Sequence, residues 1–296
     1  MSGSDLAGRV AVVTGATTGM GLATAEALAA RGAQVVLTGR DPGRLRDAVS
    51  RVQQVSSGER GAHGLLADLA DLASVHAGAE QLMSQVDRID LLINNAGVMF
   101  TPFGHTVDGH ELQFGTNHLG HFAFTLALEP LLRQGGARIV NLTSAGHKIA
   151  EPDLEDPDWQ HRTYDKFAAY GASKTANIWF SSELDRRWLD DGVRAFAVHP
   201  GNVATDLARH MDRADFKAMA TMSAARPGAP QRMSFATPAE GAATAIWAAT
   251  APELAGRGGL YLADCAVSED VAAWACDTAK AQALWSLSEQ MVAQRR

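Results

Sequence analysis

Tyr170 and Lys174 stand four residues apart, a spacing that puts both side chains on one face of a helix. A tyrosine hydroxyl titrates near pH ~10, and a neighbouring ammonium favours its phenolate. Such a pair can pass a proton to or from an oxygen, the step that must accompany hydride transfer at a carbonyl carbon. The chain has three tyrosines. Tyr164 has Ala168 at the fourth position and Tyr261 has Cys265, so Tyr170 alone has the lysine. The same spacing also arises by chance on any helix, and its meaning depends on the elements that hold it.

Those elements alternate. Val10–Thr14, Gln34–Thr38, His63–Ala67, Ile89–Ile93, Arg138–Leu142, Val193–Val198 and Gly259–Leu262 read as strands, with helical patterns such as Gly21–Arg31 between them. Runs such as Ala-Val-Val and Leu-Leu-Ile suit strands buried on both faces. The alternation predicts an α/β, doubly wound Rossmann-type fold, with a seven-stranded parallel sheet and helices on both faces. No linker divides residues 1–296, so a single domain is expected. Two segments break the regularity: the acidic, Pro-containing 147–167 and the Met-rich 208–237, which carries Met211, Met219, Met222 and Met233 with Pro227 and Pro230. Segments this long suit substrate loops, or are surface excursions. The methionines fit plain packing as well as a lipophilic pocket.

The loop Thr14-Gly15-Ala16-Thr17-Thr18-Gly19-Met20-Gly21 follows the first strand and opens the first helix. Gly15 permits the tight turn, Gly19 a close approach of phosphate to backbone, and Gly21 close packing of helix on strand. The first-turn N–H groups and the helix dipole then face phosphates. This context makes the loop, with Thr17, Thr18 and Met20, a dinucleotide site. At the end of the second strand an acidic residue would bind both ribose hydroxyls and repel a 2′-phosphate. Gly39 stands there, followed by Arg40, whose guanidinium can pair with phosphate. NADP(H) is therefore expected over NAD(H), which stays possible: Arg40 also reads as a surface charge, and Asp41 could supply the ribose contact. Asp68 can accept from the adenine amino group, and reads equally as a helix N-cap.

Bulk properties exclude other classes. Hydrophobic residues are 46% and charged residues 20%, as in globular proteins. A net charge of −7 argues against a nucleic-acid partner. The two cysteines, Cys265 and Cys276, form neither a metal pattern nor a disulfide framework and fit a reducing compartment. No metal is expected. The first nine residues have no signal-peptide layout, and no apolar run of membrane-spanning length occurs. A cytoplasmic protein without integral membrane association is expected. His118, His121 and His147 have no metal-ligand spacing and read as helix or loop surface groups. Met99, Phe100 and Trp159 are candidate pocket walls.

Across most of its length the chain resembles the short-chain dehydrogenase/reductase family. The motifs fall in the family's order: Thr14–Gly21, Asn94-Asn95-Ala96-Gly97, Asn117, Ser144, Tyr170 with Lys174, then Pro200-Gly201 with Val203 and Thr205. The run Gln113-Phe114-Gly115-Thr116-Asn117-His118-Leu119-Gly120-His121-Phe122, the segment Arg138–Ser144, ending Val-Asn-Leu-Thr-Ser, and the long spacer between Ser144 and Tyr170 are similar to the retinol-dehydrogenase-like branch. The resemblance implies Tyr170 as acid and base, Lys174 as the group that lowers its pKa and holds the nicotinamide ribose, and Ser144 as a hydrogen-bond partner of the substrate oxygen. It implies Asn117 as the holder of a relay water; alternatively, Asn117 satisfies a helix irregularity. Asn95, Ala96 and Gly97 would line the cofactor cleft, Leu69 with Asp68 the adenine, and Pro200, Gly201, Val203 and Thr205 the nicotinamide. The implied partner is a small, lipophilic carbonyl or alcohol substrate. A catalytically silent regulator and an epimerase or lyase on the same fold are the rivals, and a homo-oligomer is open.

Overall fold

The computed structural model describes residues 5–224 and 235–293. In chain order the elements are β1 (Val10–Val13), α1 (Gly19–Ala30), β2 (Gln34–Gly39), α2 (Pro42–Val55), β3 (Ala62–Leu66), α3 (Leu72–Met83), β4 (Leu91–Asn94) and α4 (Leu112–Phe114). After α4 come a π-helical turn (Gly115–Leu119), α5 (Gly120–Ala127), α6 (Glu129–Gly135), β5 (Arg138–Leu142), α7 (Lys166–Trp188) and β6 (Arg194–His199). The chain closes with α8 (Arg213–Ala224), α9 (Pro238–Thr250), β7 (Leu260–Ala263), β8 (Ala266–Val267) and α10 (Thr278–Ala293).

The strands join in the order β3-β2-β1-β4-β5-β6-β7-β8, all parallel except the last pair. Successive side chains on a strand face opposite ways, so one strand feeds two cores. Ala11 and Val13 of β1 pack with α1 and α9; Val10 and Val12 pack with α3, α5, α7 and α10. Burial on both faces is why these strands read as continuous apolar runs.

Two expectations need correction. The sheet has an eighth strand, β8, antiparallel to β7. Asp264 and Cys265 make the connecting turn with φ of 50° and 54°. Positive φ at both positions is the signature of a tight hairpin, but a Cys there does not announce it as Gly would. Segment 208–237 is also not simply a loop, because it contains α8. Its start is fixed by a reciprocal cap: Asp212 Oδ1 accepts from Asp215 N at 2.9 Å and Asp215 Oδ2 accepts from Asp212 N at 3.0 Å. Met233, Pro227 and Pro230 lie outside the described residues. The two ends of this excursion meet again at one parallel bridge between Val203 and Ala236, where Ala236 N donates to Asn202 O and Ala204 N to Ala236 O.

Among the described residues no helix is long and apolar enough to cross a membrane.

Candidate active site

The strand order reverses between β1 and β4, which opens a crevice at the C-terminal ends of the strands. The loop after β1 enters it. Gly15 turns the chain with φ 61°, and a Cβ on it would meet Ala96 Cβ at 2.8 Å. Thr18 caps α1 without a side-chain hydrogen bond, so the first-turn N–H groups have no side-chain partner at the mouth of the groove.

Buried Thr14 ties this loop to the turn after β4. Its Oγ1 accepts from Asn95 N at 2.9 Å and Ala96 N at 3.0 Å, while Asn95 Nδ2 donates to Thr14 O at 2.8 Å. Thr14 Oγ1 also lies 2.8 Å from His121 Nε2, and His121 Nδ1 lies 2.9 Å from Asn117 O. A carbonyl only accepts, so Nδ1 carries the proton and Nε2 accepts from Thr14. Burial lowers the His121 pKa to about 4, which keeps the ring neutral. His118, His121 and His147 are all buried, which corrects the expectation of surface groups. His118 packs among Phe114, Phe122 and Phe180, and burial takes its pKa to about 3.

The Asn117 side chain sits in the π-helical turn. Its Oδ1 accepts from Val98 N at 2.8 Å, and its Nδ2 donates to Val98 O and Ser173 Oγ, both at 2.9 Å. It thus fastens the loop after β4 to α7. Asn117 O, which accepts from His121, and the side-chain contacts satisfy the polar groups of a helix irregularity.

Asp165 caps α7, accepting from Phe167 N at 2.8 Å and Ala168 N at 3.2 Å, and so sets the face that carries Tyr170 and Lys174. Ser144 N-caps the short 3-10 turn Ala145–Lys148, with its Oγ accepting from Gly146 N at 3.0 Å. Ser144 lines the same cavity as Tyr170 and pulls the tyrosine's pKa down. Lys174 Nζ donates to Leu142 O at 3.2 Å and lies 5.6 Å from the centre of the Tyr170 ring. Burial pushes the Tyr170 hydroxyl up to about 12, against the downward pull of Ser144, and takes Lys174 down to about 8. The expected lowering of the tyrosine is not what these side chains produce. Burial strips hydration from the charged form of each, and it is the leading cause of both shifts. At neutral pH Tyr170 is therefore a phenol, equipped to donate.

Ser144, Tyr170 and Lys174 line a cavity with Met20, Asn95, Gly97, Met99, Phe100, Ile149, Pro200, Gly201, Val203, Thr205, Leu207, Met211, Phe216, Met219 and Phe235 among its walls. It is continuous with the dinucleotide groove through Met20, Asn95, Gly97, Thr205 and Leu207, which line both. The groove holds the expected Gly15, Thr17, Thr18, Gly19, Gly21, Arg40, Asp68, Leu69 and Ala96. Of the expected site residues, Asn117 lines neither space. Met99 and Phe100 are walls, but Trp159 is not: it packs on Tyr164 and beneath Arg162. From 147–167, among the described residues, Ile149 is the one that reaches the cavity.

The adenosine end removes two alternatives. Asp41 is the cap of α2, accepting from Arg44 N at 2.8 Å, so its carboxylate already has a structural partner. Asp71, not Asp68, caps α3. Asp68 Oδ2 instead lies 4.0 Å from Arg40 Nη1. A Cβ on Gly39 would stand 2.6 Å from Thr17 Cγ2, so an acidic side chain there requires Thr17 to move. Sequence reasoning missed Arg44 and Arg209, which also line the groove. Arg44 had a signal, a second arginine in the first turn of the helix that follows Arg40. Arg209 had none, because its place depends on how the excursion after β6 folds back.

The short chain dehydrogenase family model matches residues 9–215. The chain belongs to this family. It is 39% identical to mouse (Mus musculus) retinol dehydrogenase 14 over 297 residues, covering 96% of this chain and 86% of the relative. It is 40% identical over 293 residues to a probable oxidoreductase of Streptomyces lividans, covering 95% and 96%. Among solved structures it is similar to the RhlG/NADP active-site complex of Pseudomonas aeruginosa, with a TM-score of 0.69, 26% identity and coverage of 89% and 97%. This short-chain dehydrogenase is an NAD(P)-dependent oxidoreductase of the retinol-dehydrogenase-like branch, acting on a small-molecule substrate.

Proposed function

We propose that this short-chain dehydrogenase is an NADP(H)-dependent reductase of lipophilic aldehydes or ketones, and the corresponding alcohol dehydrogenase in reverse. One observation carries the proposal. Ser144 and Tyr170 line one cavity whose other walls are mainly apolar, with Phe100, Ile149, Leu207, Met211 and Phe216, and which also takes in Lys174, Asn95 and Thr205. A carbonyl oxygen would accept from both hydroxyls while an apolar body lies against those walls. A relative named retinol dehydrogenase supports the lipophilic class.

The groove residues fit a dinucleotide. Gly15 and Gly21 admit no Cβ at their contacts, and the first turn of α1 lacks side-chain caps where phosphates would lie. Gly39, Arg40 and Arg44 favour a 2′-phosphate. When bound, the nicotinamide gives or takes the hydride. Tyr170 gives the proton to the substrate oxygen in reduction and takes it in oxidation. Ser144 donates to that oxygen as charge develops on it. Lys174, when charged, stabilises the phenolate left on Tyr170, and its ammonium is a donor for the nicotinamide ribose. Asn117 acts as a positioning residue through Val98 and Ser173. Asn95, Ala96, Gly97, Pro200, Gly201, Val203 and Thr205 border the nicotinamide end, and Asp68 with Leu69 the adenine.

The test is NADPH oxidation across retinal, long-chain aldehydes and aromatic ketones. Turnover should appear with the lipophilic carbonyls and fall by about 10²- to 10⁴-fold in Tyr170→Phe, with NADPH still bound. Tight NADPH binding without turnover of any carbonyl or alcohol would instead indicate a regulatory binder.

A further inference from the structure

Three guanidinium groups converge on the adenosine end of the groove: Arg40 after β2, Arg44 in the first turn of α2, and Arg209 from the 3-10 turn Asp206–His210. The first two belong to the body of the fold. Arg209 reaches the same place from the opposite wall, out of the excursion after β6. Desolvation depresses its pKa first, then the positive charge of Arg40 and, more weakly, of Arg44; Asp206 opposes them. His210 beside it is lowered by burial and by the charges of Arg209 and Arg40.

This concentration of positive charge stands in an acidic molecule. The chain has a net charge of −7. Several arginines elsewhere meet carboxylates closely, as in Arg9–Asp90 at 2.6 Å and Arg187–Glu183 at 2.6 Å. At the groove, among the described residues, the single ion pair is Arg40–Asp68 at 4.0 Å; Arg44 and Arg209 form none. Arg209 Nη1 donates to the backbone oxygen of Asp206 at 3.1 Å, which neutralises nothing. Three cations facing one opening suit a dianion there.

Arg209 is also linked to the substrate cavity. Leu207, Ala208 and Met211, its near neighbours in sequence, line that cavity, and α8 follows with Phe216 and Met219. We propose that Arg209 closes over the 2′-phosphate of NADP(H) as the third arm of a clamp with Arg40 and Arg44, and that this contact holds the wall Leu207–Met219 against the substrate. The proposal rests on the NADP(H) preference argued above. It adds that the 2′-phosphate, far from the reacting carbon, sets the substrate KM as well as cofactor affinity.

The experiment uses the full chain and its Arg209→Gln, Arg209→Lys and Arg257→Gln variants, Arg257 being exposed and outside both the groove and the cavity. Binding is measured for NADPH, NADH, adenosine 2′,5′-bisphosphate and adenosine 5′-monophosphate, and kinetics with one carbonyl under each reduced cofactor. In Arg209→Gln, binding of NADPH and of the bisphosphate should weaken about tenfold or more, the loss of one charge-assisted contact, while NADH and the monophosphate are unaffected. Its substrate KM with NADPH should rise to the wild-type value with NADH, at little change in kcat. Arg209→Lys should recover part of both effects, and Arg257→Gln should match the wild type. If the wild type fails to distinguish bisphosphate from monophosphate, the NADP(H) preference itself is wrong. If it does distinguish them and Arg209→Gln weakens all four ligands equally or none, the clamp is wrong and the preference stands. Selective loss of NADPH binding with an unmoved substrate KM would remove the link to the substrate wall.

Discussion

The Thr14 hydroxyl donates to Nε2 of His121 at 2.8 Å, and so joins the phosphate loop to the π-helical turn that holds Asn117. Both groups are buried. Replacing the ring by an apolar group leaves a buried hydroxyl and a buried carbonyl without this partner. His121→Leu should destabilise the protein by about 1–3 kcal/mol and weaken dinucleotide binding, because Thr14 also positions Asn95 and Ala96. Urea denaturation with cofactor titration checks this, and unchanged values in both would show the bridge to be inert.

Neutral burial of His118 and His121 links stability to pH. Their folded pKa values, about 3 and about 4, lie below the ordinary 6.5. As pH falls below 6.5 the unfolded chain takes up protons that the folded chain refuses, so stability is present above that pH and is lost toward pH 4. Each histidine contributes a slope of about 1.4 kcal/mol per pH unit in that window. Denaturant melts at several pH values should show it, and His118→Phe should remove one histidine's share. An unchanged slope in that variant would contradict the assignment.

The rate should depend on pH in opposite senses for the two directions. Tyr170 stays a phenol until about pH 12, while Lys174 loses its charge near pH 8. Carbonyl reduction should decline as pH rises through 8, because the phenolate left behind loses its ammonium. Alcohol oxidation needs the phenolate from the start and should rise with pH. Lys174→Arg keeps the charge at alkaline pH, so whatever reduction it retains should not decline there. A decline identical to the wild type would place the titration elsewhere.

Lys166 at the start of α7 pairs with buried Asp215 of α8 at 2.6 Å and fixes the helix carrying Phe216 and Met219 to the helix carrying Tyr170. Lys166→Met should loosen α8, raise the substrate KM and leave kcat at saturation within about twofold, as expected when uniform binding is lost. Steady-state kinetics would show it, and a pure kcat loss would argue against the pairing as a substrate-wall support.

Much of this was legible in the chain because local chemistry dictates it. Gly15 and Gly21 announce their contacts by lacking a side chain, and the strands announce their two-sided burial by unbroken apolar runs. What could not be read depends on distant partners. Asp41 looks free until α2 forms and turns it into a cap. His121 looks like a surface residue of a helix until Thr14, 107 positions away, meets it. Trp159 reads as a pocket wall, yet Arg162 lies over its ring and Tyr164 meets it edge to face. Tyr170 and Lys174 were found by spacing, but their protonation follows from burial, which spacing does not encode.

The Val203–Ala236 bridge pins both ends of the excursion at one point on the body. Loop closure costs little extra as such a segment lengthens. The stretch between those residues carries substrate walls such as Leu207, Met211 and Phe216 together with Thr205 and Arg209 of the dinucleotide groove. Preference for substrate and preference for cofactor are thus written on one segment, while Ser144 and Tyr170, which handle the proton, lie outside it.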